Sequence, residues 1–483
     1  MEQITTISDP AAEQYRSNRV AHWEALARTS KPRTPGGYYH DRLAEIYSHV
    51  ISPNQRVLEI GCGEGDLLAA VKPSAGVGID FSDAMLQRAR EKYPHLRFVQ
   101  GDAHHIALDE KFDAIILSDI VNDLWDVQRI LEQLRPLCHP RTRLVMNFFS
   151  KVWEKPLNVA RRAGLARPVL DQNWLAVEDM ENLLHLAGFV RVRHWQEFLF
   201  PFHLPLISGL FNKFLVRFAP FKHLAMTNVM VARPEPQMAF DGDRELTVSV
   251  IVPARNEAGN VPAIFARIPE MGAGTEIVFV EGNSTDDTYV AIERELPNHP
   301  ERKAMLLKQP GKGKGDAVRT GFAAATGEVL MILDADLTVP PEDLPRFYSA
   351  LRTRKGEFIN GVRLVYPMEK RSMQFLNLIA NKLFGWAFSW LLGQPVRDTL
   401  CGTKVLSKAD YEIIAANRNY FGDFDPFGDF DLLFGAAKQN LKIVDLPVRY
   451  RERTYGSTNI SRFRHGLLLL RMVMFAARRI KFI

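Results

Sequence analysis

The chain has 483 residues, of which 46% are hydrophobic, 24% charged and 10% aromatic, a globular composition that excludes disordered, collagen-like and coiled-coil proteins. Its length, about three times the ~150 residues of an ordinary domain, predicts more than one folding unit. The net charge of +5 is unevenly spread: Leu441 to Ile483 hold ten Lys or Arg against two acids, a net +8, so the remainder nets −3. A near-neutral body with a basic end lacks the concentrated basic face of a nucleic-acid binder, and no nucleic-acid partner is expected.

Three scattered cysteines, Cys62, Cys138 and Cys401, exclude a disulfide framework or a cysteine zinc site and suit a reducing compartment. Residues 1–16 lack a basic segment followed by an apolar core, so no signal peptide is read, and no run of 18 or more apolar residues is long enough to cross a bilayer. Three shorter apolar stretches, Phe198 to Phe211, Leu383 to Leu392 and Leu467 to Ala477, are suited to lying on a surface.

Two blocks repeat one grammar, an apolar strand, a Gly- or Asp-rich turn and an amphipathic helix, which is the pattern of a parallel α/β sheet. The expected fold is α/β in two domains, residues 1–232 and 246–483, joined by a polar, Pro- and Gly-containing linker at 233–245.

In the first block, Arg56 to Leu68 reads as a buried strand, a turn at Gly61, Gly63 and Gly65, and a helix start. Glycine lets the backbone turn sharply and a ligand approach closely. Val77 to Asp80 and Arg97 to Asp102 are further strands, each ending in an acid, and Asp80 stands where a carboxylate accepts from ribose hydroxyls. Tyr38, Tyr39 and His40 precede the first strand, either as a cap on the ligand or as an aromatic cluster packed on the domain. His104 and His105 are either a general base or a loop pair without a role.

The ordered series Glu59–Gly65, Ile79–Leu86, Gly101–Asp102 and Phe112–Asp126 resembles the class I S-adenosylmethionine-dependent methyltransferases over residues 40–232. The resemblance implies a Rossmann-like sheet binding S-adenosylmethionine, with Glu59, Gly61 and Gly63 facing its methionine part, Asp80 the ribose and Asp102 the adenine. It places Asp119 at the closure of the site after the fourth strand. The family's glycines before its fifth strand are replaced here by His139 to Thr142.

The second block opens with a strand and turn, Leu246 to Val261, in which Asn256 and Glu257 start a helix suited to phosphate. Glu281, Asp286 and Asp287 follow, then a basic glycine loop, Gly311 to Gly321, whose spacing is not that of a Walker A motif. The apolar run Val329 to Leu333 drives a strand up to Asp334 and Asp336, two carboxylates two residues apart. Carboxylates so placed repel unless a cation joins them or one is protonated; a hard divalent ion, Mg²⁺ or Mn²⁺, can also bridge to a diphosphate, the alternative being one solvated acid and one that caps the following helix.

This series, with Gly361–Arg363, Val396–Gly402 and Arg453–Ile460, resembles the family 2 GT-A glycosyltransferases over residues 246–483, particularly the polyprenyl-phosphate sugar synthases. The resemblance implies a GT-A nucleotide-sugar-binding fold and inverting transfer from a nucleoside-diphosphate sugar. Pro253, Glu257 and Glu281 would hold the nucleoside, Asp334 and Asp336 the metal and Lys314 the leaving diphosphate. Arg363, Arg371 and Arg453 would form an anion site for an acceptor phosphate. Glu281–Asn283 and Asn459 depart from the family's usual acidic and basic residues. For a hydroxyl acceptor a base is needed; Asp425, Asp429 and Asp431 are the candidate carboxylates, and Asp431, at the position where the resemblance implies an acid, is the expected one. A polyprenyl phosphate needs no base.

From Arg371 to Leu392 a polar stripe of Gln374, Asn377, Asn381, Gly385 and Ser389 leaves a broad apolar face with Trp386 and Trp390 suited to a headgroup boundary. Arg464, Arg471 and Arg478 repeat by sevens beside apolar runs, which favours a helix on an anionic leaflet. The expectation is a bifunctional transferase, cytoplasmic and peripheral on the inner membrane face, acting on a polyprenyl phosphate or glycan acceptor. Its rival is a glycosyltransferase acting on a saccharide hydroxyl, with a front domain that only scaffolds.

Overall fold

The computed structural model describes residues 10–29, 37–163, 170, 172–235, 244–365, 375–418, 429–453, 455 and 470–482. The chain divides into two compact units, residues 1–235 and 236–482, each built on a seven-stranded sheet.

The first sheet is formed by β1 (Arg56–Ile60), β2 (Ala75–Asp80), β3 (Arg97–Gln100), β4 (Phe112–Ser118), β5 (Cys138–Phe149), β6 (Phe189–Glu197) and β7 (Thr227–Pro234), in the order 3-2-1-4-5-7-6. β7 runs antiparallel to both β5 and β6. The central strands are apolar on both faces, as a sheet covered by helices on both sides requires. Leu58 and Ile60 point into one core with Ile115, Leu117 and Met146, while Val57 joins Ala114, Ile116 and Val145 in the other. Each fully buried aliphatic side chain of this kind is worth roughly 1.5–3 kcal/mol.

Two local features differ from the sequence reading. Arg233 and Pro234 are the last residues of β7 rather than linker, because they stand opposite Val190 and Phe189 of β6. His139 to Thr142 form an irregularity within β5: Cys138 stands opposite Phe112 and Arg143 opposite Ala114. The Thr142 hydroxyl donates to Phe112 O at 2.6 Å and accepts from His139 N at 2.8 Å, so a side chain holds the irregularity in place.

The second sheet holds β8 (Val248–Ala254), β9 (Thr275–Glu281), β10 (Lys303–Lys308), β11 (Val329–Ile332), β12 (Phe358–Val362), β13 (Lys404–Ser407) and β14 (Ile443–Pro447), in the order 10-9-8-11-13-12-14. Here β13 is the antiparallel strand. Alternation again splits the core: Val250 and Val252 pack on one face, Ile251 with Leu330 and Ile332 on the other.

In both sheets the chain winds outward from the first strand, then crosses back to its other side. That reversal opens a crevice at the carboxyl ends of neighbouring parallel strands, β1 and β4 in one unit, β8 and β11 in the other, where α/β sheets bind ligands.

Candidate active sites

At the first crevice the turn after β1 is held by Gly61, Gly63 and Gly65, with φ of +73°, +51° and +78°. A side chain at Gly61 would be strained in φ and would stand 2.7 Å from Ile120, whereas the space beside Gly63 is open. The Gly63 N–H donates to Asp80 Oδ2 at 2.8 Å and Ser82 N–H to Asp80 Oδ1 at 2.9 Å, which fixes the carboxylate at the end of β2. Burial raises the Asp80 carboxyl above its ordinary range, against the pull of these backbone donors. Glu59 is buried at 3% exposure, and its Oε2 has no hydrogen-bond partner. Burial pushes its carboxyl well above the usual range, with the backbone of Leu68 opposing. A buried carboxylate oxygen without a donor, beside an open glycine turn, fits a cationic and hydroxyl-bearing cofactor such as S-adenosylmethionine.

Asp102 is fixed differently. Its Oδ1 accepts from His104 N at 2.9 Å and meets His104 Nδ1 at 3.0 Å, while Oδ2 accepts from Arg16 at 3.1 Å. Burial would raise its carboxyl, but the His104 and Arg16 contacts outweigh it and hold it well below the usual range. His104 Nε2 in turn accepts from Asp126 N at 3.3 Å, so both ring nitrogens are engaged and the ring is a brace rather than a base. Arg16 belongs to the helix Pro10–Thr29, which also places Glu24 2.8 Å from the Ser82 hydroxyl.

Beyond β4, Asp119 sits at φ +56°. It accepts from the Tyr39 hydroxyl at 2.7 Å and from Asn147 at 2.5 Å, and Asn147 Oδ1 accepts from Tyr47 at 2.8 Å and Ser118 at 2.9 Å. Burial raises the Asp119 carboxyl, opposed by His40, Tyr39 and Asn147. Tyr39 therefore lies in the site, packed on Phe198 with ring centres 4.5 Å apart, whereas Tyr38 accepts from Asn212 at 3.1 Å.

In the second crevice Pro253 is the penultimate residue of β8 and Glu281 the last of β9, while Asp334 and Asp336 follow β11. Lys314 opens the helix Lys314–Ala324, and its Nζ stands 2.5 Å from Asp334 Oδ1. Burial raises the Asp334 carboxyl, but Lys314, with Arg363 and Lys404, more than offsets this and the net effect is a lowered carboxyl. Arg453 spans two acids, 2.6 Å from Asp336 Oδ2 and 3.3 Å from Glu257 Oε1. Glu257 is pushed up to about 7, chiefly by burial, with Arg453 opposing and Asp336 adding. Each of the paired aspartates thus already meets a cation, a demand for positive charge that a divalent ion would also answer, while Lys314 and Arg453 suit the phosphates. Among the described residues no cluster of three or more His, Cys, Asp or Glu is placed to hold a metal, so an ion here would draw further oxygen ligands from phosphate and water. A Cβ at Gly402 would run into the Asp334 carboxylate and the Lys314 ammonium, so only glycine leaves this pair room.

Residues 249–407 match the model of the glycosyl transferase family 2, and residues 51–185 match that of a methyltransferase domain. The chain carries a methyltransferase domain followed by a family 2 glycosyltransferase domain. An uncharacterized glycosyltransferase of Mycobacterium tuberculosis is 27% identical over 46% of this chain and 93% of its own length. The dolichol-phosphate mannosyltransferase of Pyrococcus furiosus is 36% identical over 44% of this chain and 59% of its own. A solved S-adenosylmethionine-dependent methyltransferase from Mesorhizobium loti is 18% identical, with a TM-score of 0.32 over 40% of this chain and 96% of that one.

Within the glycosyltransferase domain, other expected residues fall in different settings. Asn256, at φ +58°, lies in the turn, and Glu257 is the residue from which the helical segment starts, a tight turn at Ala258–Asn260 running directly into the helix Val261–Arg267. Glu281 Oε1 accepts from Ser284 N at 2.5 Å. The Arg363 guanidinium is a buried bidentate partner of Asp398, at 2.7 and 2.9 Å. That pair raises the arginine strongly despite its burial, so the guanidinium is already engaged by a carboxylate. Arg371, Asp425 and Arg464 lie outside the described residues. Asp431 lies in the helix Asp429–Lys438. Its Oδ2 stands 3.6 Å from Arg319 and 3.5 Å from Arg418.

Asp398, Gly402 and Lys404 received no role from sequence, although an acid and a lysine inside an apolar stretch were a visible signal. In the methyltransferase domain Arg16, Glu24 and the Tyr47–Asn147 pair were likewise missed, since their partners lie far away in the chain.

Proposed function

We propose that the glycosyltransferase domain transfers a sugar, with inversion, from a nucleoside diphosphate to a polyprenyl phosphate, and that the methyltransferase domain uses S-adenosylmethionine to methylate a small molecule or sugar. The observation that carries the first part is the pair Asp334 and Asp336 at the crevice, each already facing a cation. A divalent ion held by these two carboxylates would neutralise the diphosphate and ease its departure. Lys314, fixed at a helix start, orients the leaving phosphates. Pro253, Glu257 and Glu281 border the nucleoside. Arg453 brings a positive charge from the basic end of the chain to the same acids, and that charge suits an acceptor phosphate once Asp336 takes another partner.

An ionised phosphate needs no base. This accords with Asp431, whose carboxylate faces two guanidinium groups, and with the similarity to the Pyrococcus furiosus dolichol-phosphate mannosyltransferase. For methyl transfer, Glu59, Gly61, Gly63 and Asp80 bind the cofactor and Asp102 closes its adenine end, while S-adenosylmethionine itself supplies the electrophilic methyl group. Asp119 and Tyr39, hydrogen-bonded to each other, border the acceptor.

Association with an anionic inner leaflet through the basic end belongs to the same reading. Arg471 and Arg478 are exposed, while Met472 and Ala476 between them are buried. Trp386 is exposed, but Trp390 is covered by Lys481 and Phe482. No helix among the described residues is long and apolar enough to cross a membrane. The test is a screen of nucleotide sugars with polyprenyl phosphate and Mg²⁺ or Mn²⁺, with Asp336→Asn as the blank. Lipid-linked product from the wild type alone supports the reading; transfer undiminished by Asp336→Asn or by Arg453→Ala sinks it.

A further inference from the structure

The connection between β6 and β7, residues 198–226, turns the usual arrangement inside out. Its polar side chains are directed inward. Asn212 is fully buried, accepting from Leu199 N and Phe200 N at 2.8 and 2.9 Å and donating to Phe200 O at 2.7 Å. Ser208, 3% exposed, accepts from Leu204 N at 2.7 Å and faces the carbonyls of Phe202 and Leu204. Arg217 is buried in an ion pair with Glu197 at 2.7 Å. Large apolar side chains point outward instead. Leu206 is 92% exposed at φ +66°, and Phe202, Leu204, Leu210, Phe221 and Leu224 are all more than two-fifths exposed. This far exceeds the scattered apolar exposure of an ordinary surface.

We propose that this connection is a seat for an anionic phospholipid surface, into which the Leu206 apex and its neighbours insert. Two observations select lipid over a protein partner. First, much of the backbone of the segment bonds within itself through short helical turns, as in Ser208 N to Leu204 O, Leu210 N to Leu206 O, Lys222 N to Phe218 O and His223 N to Pro220 O. Hydrocarbon supplies no hydrogen-bond partners, so a surface entering it must satisfy its own polar groups, a condition a protein partner does not impose. Second, residues 198–226 hold no Asp or Glu, and although Arg217 is spent on Glu197 and Lys213 meets Glu45 at 3.3 Å, Lys222 remains beside Phe221 and Leu224. Lysine beside apolar groups favours the boundary of an anionic leaflet, where an acid would be repelled. The seat belongs to the methyltransferase domain, so it stands whether or not the acceptor reading holds.

All three native cysteines are buried, so Leu206→Cys in the full chain takes an environment-sensitive fluorophore at one place. On vesicles of equal parts phosphatidylcholine and phosphatidylglycerol the probe is expected to shift to the blue and to be quenched by brominated acyl chains. Leu210→Ser with Phe221→Ser should lower vesicle partitioning roughly tenfold or more while S-adenosylmethionine binding stays unchanged. A probe at 206 that reports water while the chain sediments with vesicles overturns the proposal, because binding then proceeds elsewhere. Equal partitioning of wild type and double variant overturns it too. An equal response to pure phosphatidylcholine removes the anionic leaflet as the occupant. If light scattering finds a dimer that the double variant dissolves, with no vesicle response, the occupant is a second copy instead.

Discussion

The two domains open the same crevice by the same reversal of strand order, yet they fill it with opposite chemistry. In the methyltransferase domain the loop after the first strand is glycine held at positive φ, and the walls are acids: Glu59, Asp80, Asp102 and Asp119. The glycosyltransferase domain meets its acids with Lys314, Arg363 and Arg453. A sulfonium cofactor with hydroxyls and an amine suits the first, and an anionic diphosphate joined by a metal suits the second. Topology thus fixes where a ligand lies, while local charge decides which ligand.

The comparison is broken most directly by silencing one crevice at a time. Asp336→Asn should lower glycosyl transfer by roughly two to three orders of magnitude with methyl transfer unaffected. Gly61→Val, forced into a φ that a β-branched residue avoids, should abolish S-adenosylmethionine binding and spare glycosyl transfer. Loss of both activities from either change would mean that the sites are not independent.

A smaller effect distinguishes an acid built for a ligand from one built for the fold. Glu59→Gln should weaken S-adenosylmethionine about tenfold by calorimetry, since an ionised partner contributes more than a neutral one. Because folding raises the Glu59 carboxyl, its stabilising contribution is present at acid pH and is lost as pH rises through the folded value. Glutamine cannot ionise, so the ligand-free variant should melt higher than wild type at alkaline pH and not at acid pH.

In the second crevice Glu257, raised from 4.5 to about 7, should likewise lose stabilisation between those values as pH rises. Metal-dependent nucleotide binding should strengthen over the same window as the carboxylate ionises, and Glu257→Gln should flatten that rise in a titration series. The smallest effect is expected at His104: His104→Ala should cost about 1–2 kcal/mol in urea unfolding, with the methyl-transfer rate at saturating cofactor unchanged.

The helices and strands that carry Glu59, Asp80, Asp334 and Lys314 were legible because apolar runs end in turns whose residues have few other uses. Less legible were positions whose meaning depends on a distant partner. Arg363 reads as a phosphate ligand until Asp398, 35 residues on, is found beneath it. Asp431 reads as a candidate base, but it is the half-buried position of a helix whose Phe430, Leu432, Leu433, Phe434, Ala436 and Ala437 lie in the core, and Arg319 and Arg418 stand opposite it. The apolar run at Phe198 could be described as surface-seeking, but its inward Asn212 and Ser208 could not be foreseen.

Sequence alone determined the two α/β blocks, the order of their ligand-bearing turns and the basic end, because hydrophobic periodicity, glycine turns and charge are local properties. Tertiary structure decided which charges meet. It gave Arg453 to Asp336 and Glu257, locked His104 between Asp102 and Asp126, and turned the β6–β7 connection apolar side outward. Pairing energies and burial depend on separation in space, which a linear order of residues does not contain.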